Sequence, residues 1–329
     1  MILRISPIWW PLLIALSPIV VPLMLLKYSR FRKNSIRAAS TNKSRINHAN
    51  AIEMTELDFL ELTALVEWKA KEGYMSDAGV SYLLKSNFNK MLFDVGFGPD
   101  RPALTHNASL LKFDINQVDA LTISHLHCDH MGGIPAQRLR QVVVPAKLMS
   151  TDIKPCFLPD TADAKGFKAQ VVTNPQVLVP GIVSTGPLSR SLFIFGYTEE
   201  QALLALIKGK GLVVITGCGH PTIETILSMV RRISSKPVYA ICGGLHFPIS
   251  GGRGNRAGIQ LQTILGTGKP IWKRITDEDL THTIEAINEA GPEKVLLSAH
   301  DTCDHTISRM EKELRAEVEV IEAGETYSI

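Results

Sequence analysis

The run SHLHCDHMGG, residues 124–133, packs three histidines and an aspartate into six positions of a 329-residue chain that has ten histidines in all. It directly follows VDALTIS (118–124), an apolar stretch with strand character. A polar loop whose imidazoles bind nothing is the other reading, and the concentration of donors argues against it. On an extended backbone, side chains two apart face the same way, so His125 and His127 converge on one metal ion. After the chain turns, Asp129 and His130 serve a second, with Gly132 and Gly133 permitting the tight turn. Imidazole nitrogen with carboxylate oxygen suits one or two Zn(II) ions, and Fe or Mn suit the same donors.

Three later apolar strands repeat the theme. GLVVITG (211–217), PVYAICGG (237–244) and EKVLLSA (293–299) are each followed within a few residues by a histidine: His220, His246 and His300. Upstream, FLELTALVEW (59–68), GVSYLLKS (79–86) and KMLFDVG (90–96) read as a strand meander. Helices are expected at 103–113, 199–209, 221–233 and 277–291, the last with Thr276 as cap, Asp279 three residues on and Gly291 as its stop. Strands followed by helices, in two halves, predict an α+β fold of sheets packed face to face with helices outside.

From Ile5 to Leu26 there are 22 residues without a charge. As a helix that is long enough to cross a hydrocarbon core of ~30 Å. Pro7, Pro11, Pro18 and Pro22 would kink it, and Trp9 and Trp10 would lie at one interface. A cleaved signal peptide is the competing reading, although only Arg4 precedes the run and no A-x-A-like site follows. Lys27, Arg30, Arg32, Lys33 and Arg37 follow the span, which by the positive-inside rule places the remainder in the cytoplasm; export after signal cleavage is the alternative. The expected division is therefore 1–33 as membrane anchor with basic flank, 34–55 as flexible tether and 56–329 as catalytic domain.

Five cysteines without CxxC spacing give neither a disulfide framework nor a zinc ribbon. Cys128, Cys218 and Cys242 are read as packing residues. Outside the basic flank the charge is near balance, so no nucleic-acid partner is expected.

His125-Leu-His127-Cys-Asp129-His130 resembles the H-x-H-x-D-H signature of the metallo-β-lactamase superfamily. GVSYLL (79–84), LFDVGFG (92–98), LTHNASLL (104–111), GLVVITGCGH (211–220) and GGLHF (243–247) are similar to its branch named for dihydropterin ribofuranosylaminobenzene phosphate synthase. The resemblance covers roughly residues 57–325 and implies a four-layer αββα sandwich with metals at the open edge of the paired sheets. It implies that His220 joins His125 and His127 on the first metal, that His300 joins Asp129 and His130 on the second, and that Asp94 orients the ligands. Two departures stand out. Gly243-Gly244-Leu245-His246 replaces the aspartate that bridges the metals in many members, leaving His246 as ligand or substrate contact. His300-Asp301-Thr302-Cys303 replaces H-C-T-G, with Asp301 and Asp304 read as solvated loop residues before carboxylate ligands.

The function expected is a metal-dependent hydrolase acting through a metal-bound hydroxide, with Asp129 and His130 at the reacting centre. Without a bridging carboxylate the site carries net positive charge, which favours an anionic, phosphorylated small-molecule substrate. Arg253, Arg256, Lys269 and Lys273, in the insertion 248–273, either line the mouth or are solvated. The alternatives are a lactonase, thioesterase or glyoxalase-like hydrolase, an iron-dependent oxygenase on the same scaffold, and a membrane-anchored metal sensor without turnover.

Overall fold

The computed structural model describes residues 4–250 and 255–329. Among these, two large sheets pack face to face. The seven-stranded sheet runs, edge to edge, through 167–171, 154–158, 120–122, 90–93, 81–86, 60–66 and 326–328. The other runs through 176–179, 182–184, 203–207, 211–216, 238–243, 294–297 and 317–320, with Glu56–Leu57 alongside 203–207.

Strand 211–216 shows why its residues are apolar throughout. Val213 and Ile215 point between the sheets, with Leu62, Tyr82, Phe93 and Leu296. Leu212 and Val214 point outward beneath helices Ile223–Ile233 and Asp277–Ala290, with Ile226, Val230 and Ile284. Two buried faces erase the alternation expected of a half-buried strand. On the other sheet, helix Ala103–Leu110 covers Leu92, Leu121 and Ile123. The four layers are those expected of an αββα sandwich.

Strands 211–216, 238–243, 294–297 and 317–320 are mutually parallel, as are 90–93, 120–122 and 154–158. Parallel strands bring their carboxyl ends to one edge, the usual place for a site in an open sheet. The chain leaves that edge through the loops that carry every expected ligand.

Three expectations are corrected. Residues 199–209 are strands Gly196–Glu200 and Leu203–Ile207, not a helix. LLALI is buried throughout, so no strand period showed. Residues 34–48 are not a flexible tether but the last turns of one helix, Trp10–His48. That part docks on the hairpin Leu188–Leu192 and Gly196–Glu200: Asn42 exchanges hydrogen bonds with the Ser189 backbone (2.8 and 2.7 Å), and Arg45 pairs with Glu199 at 2.9 Å. Polar, specific contacts leave no hydrophobic period for a sequence reading to find.

The prolines do not break the helix. Pro7 and Pro11 fall in its opening turns, where proline is tolerated. Pro18 cannot donate to the Ile14 carbonyl, and Ser17 Oγ does so instead at 2.7 Å. The apolar part, with mean hydropathy 2.1 over its most apolar 18 residues, is long enough to cross a membrane by length and composition. Trp9 is the third correction: its Nε1 donates to the Ala257 carbonyl at 2.8 Å rather than standing free for an interface. The capping box of Thr276 and Asp279, and the left-handed Gly291, stand as expected.

Candidate metal centre and active site

Strand 120–122 ends before the histidine cluster, so His125 and His127 lie on the following loop and not on extended strand. They still converge. Their rings are 4.5 Å apart, and each is within 5 Å of His220 (4.7 and 4.9 Å). One donor atom from each lies within 4.8 Å of the others. Asp129, His130, Cys218 and His300 form a second group by the same measure, and Cys218, His220 and His246 an overlapping third.

Glycines make this approach possible. A Cβ at Gly132 would lie 2.2 Å from the Val143 carbonyl oxygen, and one at Gly244 would lie 2.4 Å from that of Gly217. Gly132 turns the short helix Cys128–Met131 back, while Gly244 lets the loops bearing His220 and His246 touch backbone to backbone. Those two rings then stand 4.4 Å apart.

Buried partners decide which nitrogen of each imidazole faces inward. Asp94, held at φ +60° just past strand 90–93, accepts through Oδ2 from both Ser124 Oγ and His130 Nδ1 at 2.6 Å. The Ser124 hydroxyl proton is thereby committed, so His125 Nδ1 donates to Ser124 Oγ at 3.0 Å. Glu67 commits Ser298 in the same way, and His300 Nδ1 donates to Ser298 Oγ at 2.7 Å. In all three imidazoles Nδ1 is thus committed outward and Nε2 is the nitrogen turned into the cluster. His125 Nε2, His220 Nδ1 and His246 Nε2 are buried and without a hydrogen-bond partner among the described residues.

The electrostatics divide the cluster. Burial, reinforced by neighbouring imidazoles, holds His125 and His220 well below the ordinary histidine range, and burial brings His127 to about 4. These three are neutral donors at neutral pH. On the other side burial opposes charge, but Asp94 and Asp129 outweigh it and raise His130; Asp301, at 3.3 Å, likewise lifts His300 to about 9. Neutral imidazoles beside a carboxylate-rich group, with orphaned buried nitrogens aimed inward, fit divalent cations.

Four positions in or beside the cluster escaped the sequence reading or were placed wrongly by it. Asp301 is not a solvated loop residue: its Oδ2 lies 3.0 Å from His246 Nδ1 and 3.3 Å from His300 Nε2, and its side chain is 20% exposed. Its position next to His300 was the available signal. Cys218 is more than packing, its Sγ lying 3.1 Å from His130 Nε2 and 3.2 Å from His300 Nε2; burial pushes the thiol pKa well up. Glu200 accepts from the backbone N–H groups of Gly219 and His220 at 2.8 Å each, fixing the loop that carries His220. Glu67, a lone carboxylate at the end of an apolar strand, was visible as an anomaly. Asp304 begins the helix Asp304–Glu313 and is exposed.

A cavity of about 280 Å³ opens against His220 and His246, walled by Leu192, Leu245, Phe247 and Ile275. Of the four expected mouth cations, Lys269 lines it, Arg256 and Lys273 are exposed, and Arg253 lies outside the described residues.

A family model described as metallo-beta-lactamase superfamily matches residues 76–155. The chain is 24% identical over 213 residues to the 7,8-dihydropterin-6-methyl-4-(beta-D-ribofuranosyl)-aminobenzene-5'-phosphate synthase of Methanocaldococcus jannaschii, covering 53% of this chain and 72% of that protein. The crystal structure of a metal-dependent hydrolase of the beta-lactamase superfamily superposes with a TM-score of 0.59 at 21% identity, over 82% of this chain and 99% of the other. The paired sheets, with the histidine signature and its partners at their common edge, give this chain the metallo-β-lactamase fold, and its residues 76–155 match the model of the metallo-beta-lactamase superfamily.

Proposed function

We propose that the protein hydrolyses an ester-type bond in an anionic small molecule, a phosphorylated compound being the leading class, using one or two zinc ions. His125, His127 and His220 would hold one ion; Asp129, His130 and His300 the other. The observation that carries this reading is the orphaned, fully buried Nε2 of His125 beside the rings of His127 and His220. Such ions, when bound, act as Lewis acids and lower the pKa of water from ~15.7 to about 7.

The chain's own residues do the rest. Asp94 through Ser124, and Glu67 through Ser298, hold the imidazoles in one tautomer and orientation. Asp129, with Oδ2 3.8 Å from His130 Nε2 and its side chain 22% exposed, can hold the attacking water and take its proton. The apolar walls beside His220 and His246 exclude bulk water from the bound substrate. Asp301 bears on the charge argument: its carboxylate adds to that of Asp129, with Asp94 and Glu67 behind the imidazoles, so the positive excess of two divalent ions, and with it the preference for anions, is weakened.

Residues 1–33 would serve as membrane anchor by lying against the bilayer, since Arg4 and Trp9 at the start of the helix and Asn42 and Arg45 near its end all contact the catalytic domain, which would face the cytoplasm. The uncharged run and the basic residues after it support this. Turnover of phosphomonoesters, phosphodiesters and neutral esters by zinc-loaded protein tests the catalytic reading. Activity confined to neutral lactones or esters contradicts the anionic substrate.

A further inference from the structure

Arg190 sits mid-strand in the hairpin, opposite Thr198. Its neighbours Ser189 and Ser191 reach the amino-terminal helix, Ser189 through Asn42 and Ser191 Oγ through the Phe31 carbonyl. Alternation along a strand sends Arg190 the other way, and it lines the cavity that also holds His220 and His246. The side chain is only partly accessible, yet among the described residues its guanidinium makes no hydrogen bond and no ion pair.

Two carboxylates, Glu224 and Asp279, line the same cavity, each with one oxygen engaged elsewhere. Glu224 Oε1 accepts from Thr283 Oγ1 at 2.5 Å. Asp279 Oδ2 accepts from Lys269 Nζ and the Thr276 backbone N–H, each at 2.7 Å. A guanidinium carries five N–H donors in a planar fork that matches a carboxylate or phosphate. Without an acceptor among the described residues, those donors are available to an anion that enters the cavity.

We infer that Arg190 is the specificity residue of this site, gripping a carboxylate or phosphate group of the substrate while the scissile bond lies at the His220 and His246 end of the same cavity. The inference rests on the hydrolytic reading of the metal centre and deepens it. It replaces the expected basic insertion with a single arginine from the hairpin. Leu192, Leu245, Phe247 and Ile275 give the rest of the substrate an apolar bed.

The test uses full-length, zinc-loaded protein and the variants Arg190→Met, which keeps bulk, and Arg190→Lys, which keeps charge but loses the fork. Inorganic phosphate and acetate are titrated separately by calorimetry, and the more affected anion identifies the group recognised. Arg190→Met should weaken one of them about tenfold or more, the scale of losing a charge-assisted bidentate contact, with Arg190→Lys between. Equal affinity for both anions across all three proteins overturns the inference. Phosphate that touches only the metals gives that equal result.

In parallel, KM for an aryl ester bearing a carboxylate and for its aryl phosphomonoester counterpart is compared with KM for a neutral aryl ester. Arg190→Met should raise KM for a charged substrate about tenfold or more, leave kcat within about twofold and leave the neutral ester unchanged. An equal rise for charged and neutral esters would mean a merely structural role and overturns the inference. Wild-type protein that turns over none of them refutes the hydrolytic reading, while the calorimetry still decides for or against Arg190. Zinc content and melting temperature confirm that each variant is folded, and Arg190→Lys alone decides if Arg190→Met is not.

Discussion

Asp94 Oδ2 accepts a hydrogen bond from His130 Nδ1 at 2.6 Å, and the same oxygen accepts from Ser124 Oγ, which in turn orients His125. One buried carboxylate therefore sets an imidazole in each of the two donor groups. Asp94→Asn should reduce zinc affinity about 10- to 100-fold, the usual effect of removing such an orienting partner. Competition against a chromogenic chelator measures this, and unchanged affinity in a folded variant contradicts the role.

Ser298 links Glu67 to His300. Ser298→Ala leaves a fully buried carboxylate with one donor fewer, and should cost about 1–3 kcal/mol of stability. It also frees His300 to rotate, so zinc bound at the Asp129, His130 and His300 group should weaken more than zinc at the other. Urea unfolding with and without zinc, followed by stoichiometry, checks both parts.

Asp301 and Asp304 give a paired comparison. Asp301 touches His246 and His300, whereas Asp304 is exposed at a helix start. Asp301→Asn should lower metal occupancy and turnover at least about tenfold, and Asp304→Asn should leave both within about twofold. Equal effects would show that proximity to His300 in space is not what matters.

Legibility in the sequence followed how locally each feature is encoded. His125, His127, Asp129 and His130 lie in one short segment, so their spacing alone marked them as candidates for the groups that the structure gathers. His220 and His300 were readable because each follows an apolar strand, and parallel pairing of those strands makes their ends neighbours. Glu200 and Arg190 could not be read this way. Both sit on a hairpin whose partners are distant in sequence, and strand 203–207 lost its period through burial on both faces. The docked part of the amino-terminal helix was hidden for another reason: Asn42 and Arg45 bind through polar groups, which carry no hydrophobic signature.

That docking has a functional consequence. The hairpin that receives Asn42 and Arg45 also carries Thr198, whose Oγ1 is 3.3 Å from His127 Nε2, and Glu200, which fixes the His220 backbone. Asn42→Ala removes a buried two-way hydrogen-bond exchange with Ser189 and should destabilise the protein by about 1–3 kcal/mol. Activity should fall as well, since the hairpin orders the metal centre. Thermal melting and turnover of the same preparation test the coupling; loss of stability with full activity would separate the two.

The most direct measurement is elemental analysis of purified full-length protein, wild type and Asp129→Ala, paired with ester and phosphoester turnover before and after chelation. The account predicts one or two transition-metal ions per chain, turnover abolished by the chelator and restored by zinc, and reduced metal and activity in Asp129→Ala. Folded wild-type protein that binds no metal even with zinc in excess, or that hydrolyses its substrate equally well without metal, would contradict it.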